Sequence, residues 1–140
     1  MSKKQQRAQP PWAAGARESR MAGNDEQLKP RTKQFGIRVI RLTEALPKTA
    51  TGQVIGRQLL RSSLSVGANY RAACRARSRP DFVSKMGIVI EEIDESLYWL
   101  EMLAEAGMMK HERLAPLMDE AGQITAMAVA SVKTVRAKLK

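Results

Sequence analysis

The stretch RQLLRSSLSVGANYRAACRARSRPDF, Arg57 to Phe82, gathers the residues most able to do chemistry: six arginines, a run of serines and the single cysteine. Ser62, Ser63 and Ser65 suggest a nucleophile. A serine nucleophile needs a base, usually a histidine held by a third group, and His111, the one histidine of the chain, falls in a loop by its sequence context. Small residues at a tight helix contact account for these serines better. Glu91, Glu92, Asp94 and Glu95 form an acidic cluster. Di-iron bundles use inward carboxylates together with a Glu-x-x-His motif from two helices, and that motif is absent. Cys74 and His111 are too few for a zinc site of the usual kind. Gly52-x-x-x-Gly56 lacks the Gly-Lys-Ser/Thr ending and the preceding strand of a phosphate loop. The residues thus nominate no catalytic group, no metal, no cofactor and no small-molecule substrate, and the expectation is a protein that is not an enzyme.

Two patterns remain. On a helix with 100° per residue, Ile55, Leu59, Val66, Tyr70 and Ala73 share one face, while Arg57, Arg61, Arg71 and Arg75 form a stripe on the other, interrupted by Leu64. Arg77 and Arg79 extend the stripe. Planar guanidinium forks fit phosphates, so Arg57, Arg61, Arg71, Arg75, Arg77 and Arg79 are candidate nucleic-acid contacts. A plain solvated face, or a face that meets acidic residues of another subunit, are the competing readings. The second pattern lies between residues 88 and 102. Ile88, Tyr98, Trp99 and Met102 fall off the core stripe of their helix, and Glu91 and Glu95 point the same way. Aromatic residues outside a monomer's core favour a partner surface, so Ile88, Glu91, Glu95, Tyr98, Trp99 and Met102 are the expected subunit contact.

The elements that must carry these faces are helices. Phe35, Val39, Leu42 and Leu46 step at helical spacing up to Pro47, which ends the first helix. The second spans about 52–77, with Gly67 placed to let a neighbour approach. In SRPD, Ser78 caps, Pro80 fits the first turn and Asp81 occupies the capping-box position. The third helix spans about 79–105, lined by Phe82, Met86, Val89, Ile93, Leu97, Leu100 and Ala104, with Gly107 after its end. The fourth spans about 112–138, lined by Leu114, Met118, Ala121, Thr125, Ala128, Val132, Val135 and Leu139, with a second apolar row of Leu117, Ile124 and Met127. Long helices joined by short turns lie antiparallel. The expected fold is all-α: an up-down-up-down four-helix bundle over residues 32–140, preceded by a disordered basic tail, residues 1–31.

The charge balance points to partners. The chain has 140 residues and a net charge of +10, with 24 Lys and Arg against 14 Asp and Glu. Residues 1–34 hold 8 of the bases and 3 of the acids, so a quarter of the length carries half of the excess. Such a field favours a polyanionic partner: RNA, DNA or an anionic membrane surface. No apolar run is long enough to span a membrane, and the N-terminal residues lack the apolar core of a secretory signal. A cytoplasmic protein is expected.

Three motifs in order, RQLLRSSLSVGANYRAA, SRPDFVSKM and EEIDESLYWLEML, resemble the four-helix bundle proteins also called the 23S rRNA intervening-sequence protein family. The resemblance spans Phe35 to Leu139. It rests on Gln58, Arg61, Ser62, Ser65, Gly67, Asn69 and Tyr70 in the second helix. Ser78, Asp81, Phe82 and Lys85 match the start of the third, and Glu92, Glu95, Tyr98, Trp99 and Leu100 match its end. It implies a left-handed bundle assembled as a homopentamer, and it transfers no catalytic residue. A more distant likeness, to the accessory protein of diversity-generating retroelements, implies binding to nucleic acid and to a reverse transcriptase. Ala72 stands where the family often has glutamate, which makes the arginine stripe more basic. Ile93 stands where alanine is frequent. The functional expectation is electrostatic binding of structured RNA or DNA, or scaffolding of a nucleic-acid enzyme; the alternative is an assembly module with no nucleic-acid role.

Overall fold

The computed structural model of the chain describes Trp12 and residues 16–139. Four helices form: α1 Ala16–Glu44, α2 Ala50–Cys74, α3 Arg79–Glu105 and α4 His111–Arg136, with no strand among the described residues. Each helix packs against its neighbours in the chain, and α4 closes the set against α1. The apolar sides of all four meet in one core built around Phe35, Leu59, Phe82, Met86, Ile93, Leu100, Leu114 and Ile124.

The caps follow local chemistry. Thr49 accepts a hydrogen bond from the Gly52 amide at 3.1 Å, and Ser78 accepts one from the Asp81 amide at 3.2 Å. The Asp81 carboxylate reaches back to the Arg77 amide at 3.1 Å and holds the Lys85 ammonium at 2.7 Å. These two partners, Lys85 first, lower the pKa of Asp81 below the ordinary carboxylate range. At the end of α3, the Met108 amide bonds to the Leu103 carbonyl and the Gly107 amide to that of Ala104. Gly107 has φ 69°, the left-handed conformation that such a C-terminal motif needs.

The first expectation to be corrected is the tail. Residues 16–31 are helical, and α1 continues through Pro30. An internal proline costs roughly 3 kcal/mol, and tertiary contacts offset it. Leu28 and Thr32 are buried, Arg31 is held by α4, and Asp25 is held by α2. Trp12 also docks on the bundle: its indole Nε1 donates to the Ala76 carbonyl at 2.8 Å, and its ring lies 5.3 Å from that of Phe82. The remaining residues of the expected tail, 1–11 and 13–15, lie outside the described residues. The second correction is the face of α4. Leu117 and Ile124 are buried, whereas Met118 and Thr125 are only partly so and Leu139 is exposed. The helix meets both α1 and α3, so its buried stripe is wider than one row: Leu114, Ala121, Ala128, Val132 and Val135 of the expected row are buried together with Leu117 and Ile124 of the second, while Met127 is only partly so. On α3, Leu103 and Ser96 are buried, while Leu97 and Ala104 sit at the margin.

Small residues set how closely the helices approach. A β-carbon on Gly67 would stand 3.4 Å from the Thr32 carbonyl oxygen of α1, and one on Gly56 would stand 3.3 Å from Leu46. Ser96 Oγ donates to Ser62 Oγ at 2.9 Å, a buried bond between α2 and α3. Gly52, in the first turn of α2, has no room for a side chain, because a β-carbon there would collide with the Pro47 carbonyl oxygen. Gly87, inside α3, has nothing within 4 Å of that position. Gly52→Ala should therefore destabilise the fold by about 1–3 kcal/mol. Gly87→Ala should stabilise it by about 0.5–1 kcal/mol. Urea unfolding followed by circular dichroism separates the two, and a neutral Gly52→Ala would show that the α1–α2 turn yields freely.

Candidate functional site

The turn between α2 and α3, and the outer faces of those helices, carry most of the residues singled out by the sequence. Arg57, Arg61, Arg71, Arg75 and Arg77 are exposed and Arg79 is partly so. They do not act alike. Arg61 turns to α3, where its guanidinium pairs with Glu95 and lies 3.5 Å from Glu92. Glu95 also accepts a bond from the Trp99 indole at 3.2 Å. The acidic residues expected to face outward toward another subunit thus hold an arginine of their own chain, because the Ser62–Ser96 contact sets Arg61 beside Glu95. Arg77 stands close to the Asp81 carboxylate. Among the described residues, Arg57, Arg71 and Arg75 make no ion pair, and they remain as the open part of the stripe.

The apolar residues of this face are also uncovered. Tyr98 is 52% exposed, Val54 50%, Leu64 46% and Ile88 41%. Tyr98 packs edge-on against Trp99, with ring centroids 5.0 Å apart. Trp99 and Met102 are half-buried, and Glu91 is exposed. Val54 went unnoticed in the sequence because it lies at the side of the α2 face, near the arginines. Ser62 and Ser63 are fully buried and donate to carbonyls of their own helix, Leu59 and Leu60. They are packing residues.

A polar cluster that the sequence did not disclose joins α1 to α2. The Asp25 carboxylate accepts hydrogen bonds from the Tyr70 hydroxyl and the Cys74 thiol, both at 2.8 Å, and pairs with Lys29 at 3.2 Å. Burial, reinforced by Asp25, pushes the Cys74 thiol up to about 12, and burial likewise raises the Tyr70 hydroxyl. Both groups are donors to a carboxylate, which favours their protonated forms. Among the described residues, no group of histidine, cysteine and carboxylates is arranged to hold a metal ion, and no helix is long and apolar enough to cross a membrane.

The fold and the outward display of charge and apolar surface define a four-helix bundle whose distinctive features lie on its exterior. Comparison with known proteins places it: the family model of the 23S rRNA-intervening sequence protein matches residues 25–130, and the chain belongs to that family. A search of curated proteins finds no match. Among solved structures, the chain is similar to a protein of unknown function from the S23 ribosomal protein family of Bacteroides thetaiotaomicron VPI-5482. The two share 31% identity at a TM-score of 0.72, covering 76% of this chain and 98% of the other.

Cys74 yields a test of the α1–α2 cluster. An unfolded thiol ionises near 9.0 and the folded one only at about 12. Across that window the folded state holds the extra proton, so stability falls as pH rises through it. Cys74→Ala should flatten that fall in pH-dependent thermal melts. At about pH 8 the native thiol should react with iodoacetamide at least about a hundredfold more slowly than in urea. Equal rates would show that Asp25 and burial do not hold it.

Proposed function

We propose that this protein is a non-enzymatic, homo-oligomeric scaffold that binds structured RNA or DNA through phosphate contacts. The observation that carries the proposal is the open set Arg57 and Arg71 of α2 with Arg75 at its C-cap, in a chain with net charge +10. Three cations left without a carboxylate, beside one that received two, suit a polyanion from outside. The binding is electrostatic: guanidinium groups displace counterions from phosphates, and affinity falls steeply with salt. With few exposed aromatics to stack bases, sequence preference is weak.

The proposal includes an antiparallel, up-down-up-down course. Its support is the order of the contacts: along α2, Gly56 meets Leu46 just past the end of α1, and Leu64, Gly67 and Tyr70 meet Gly36, Thr32 and Asp25 of α1, rising on one helix as they fall on the other. A left-handed winding accompanies the shallow crossing angles of such bundles. A cytoplasmic location and a pentameric assembly complete the reading; the latter rests on the family resemblance.

A second reading draws on Tyr98, Ile88, Leu64 and Val54, whose exposure suits burial against another subunit. Here the protein is an assembly module, and its arginines dock copies of itself. Leu64 lies within the stripe, so one face serves either purpose. The triple variant Arg57→Gln, Arg71→Gln, Arg75→Gln separates the readings. On the first, it keeps the wild-type mass in light scattering, weakens binding of an RNA hairpin and lowers the slope of log affinity against log salt by about 2–3. On the second, wild type binds no RNA and the variant dissociates.

A further inference from the structure

On the seam diagonally across the bundle from α2 and α3, the geometry points to a second cationic site: a cleft between α1 and α4 that binds the phosphate of a phosphate ester. Arg38 and Arg41 of α1 and Arg113 of α4 line an open cleft of about 290 Å³, together with Leu42, Pro116 and Leu117. The hollow is shallow and open to solvent, suited to a single charged group and not to the enclosure of a whole ligand.

Three like charges around one hollow repel one another unless an anion sits among them. The same seam shows how the chain neutralises a cation when it does so itself. Further along, Arg31 bonds to Glu120 through both Nε and Nη2 and to Gln123 at 2.8 Å. At Arg38, Arg41 and Arg113 no such partner is provided. Glu44 and Glu112 are close in sequence, yet neither forms an ion pair with them among the described residues. Arg41 lies in the last turn of α1, where a cation also complements the helix dipole. That role explains one arginine, not Arg38 or Arg113. The start of α4 adds to the positive field, since Lys110 at its N-cap position offers no side-chain bond to the first amides. Guanidinium forks match phosphate oxygens bidentately.

The phosphate could be presented by a free nucleotide or by a polynucleotide backbone, and the test has an arm for each. ADP, pyrophosphate and adenosine are titrated calorimetrically into the full-length protein, and binding of a fluorescein-labelled 20-nucleotide RNA is followed by anisotropy. ADP and pyrophosphate should bind saturably and adenosine should not. The variant Arg38→Gln, Arg41→Gln, Arg113→Gln should weaken binding by about tenfold or more, while the α2 triple variant leaves ADP binding unchanged. Binding of RNA but not ADP, lost in the cleft variant, supports the site with a polynucleotide as the source. ADP binding that survives loss of all RNA affinity supports it with a free nucleotide, and separates it from the α2 stripe. Affinity for both probes unchanged by the cleft substitutions, or no binding of either by wild type, overturns it. Circular dichroism melts confirm the fold, and Arg113→Gln alone, on an exposed position, provides a milder variant.

Discussion

The close approach of α2 to its two neighbours is the constraint from which the rest of the surface follows. On one side Gly67 lies against the Thr32 backbone of α1; on the other Ser62 and Ser96 share a buried hydrogen bond with α3. Larger side chains would force the helices apart or slide them along their axes. The serines can be buried without loss because each hydroxyl finds a carbonyl or a second hydroxyl. A fixed register then decides which polar groups meet. It sets Arg61 beside Glu95, and Asp25 beside Tyr70 and Cys74.

That register sorts the cations into two kinds. Arg31 and Arg61 have carboxylates of their own chain, and the bond to Glu120 holds Arg31 more firmly protonated. Arg57 and Arg71 on α2 and Arg75 at its C-cap, and Arg38, Arg41 and Arg113 on the α1–α4 seam, have none among the described residues. Surface ion pairs contribute little to stability. The meaning of the pairing is therefore less in what it adds to the fold than in what it removes from the field seen by a partner. A member of this family with a carboxylate at Ala72 would carry a weaker stripe.

Much of the architecture was legible because helical spacing is a local signal. Phe35, Val39 and Leu42, the SRPD cap and Gly107 needed no knowledge of the neighbouring helix. The start of α1 was not legible, because Pro30 and a polar composition argue against a helix, and only Leu28, Arg31 and Asp25 in contact with other helices reverse that argument. On α4 the row from Leu114 to Val135 was legible in large part, but that Leu117 and Ile124 join it in the core was not, since the width of a buried stripe depends on the two helices that flank it. In the arginine stripe the residue types and their outward face were plain, but the loss of Arg61 to Glu95 depends on the register between helices. Arg38 and Arg113 lie 75 residues apart in the chain, and only the meeting of α1 with α4 brings them and Arg41 together.

The sorting of arginines is tested most directly by modifying the native protein with phenylglyoxal and following each site by peptide mass spectrometry. Arg31 and Arg61 should react several-fold more slowly than Arg41, Arg75 and Arg113, and Glu120→Gln and Glu95→Gln should each release the arginine they hold. Arg31 and Arg61 reacting as fast as the others, with no response to loss of their carboxylates, would contradict the partition.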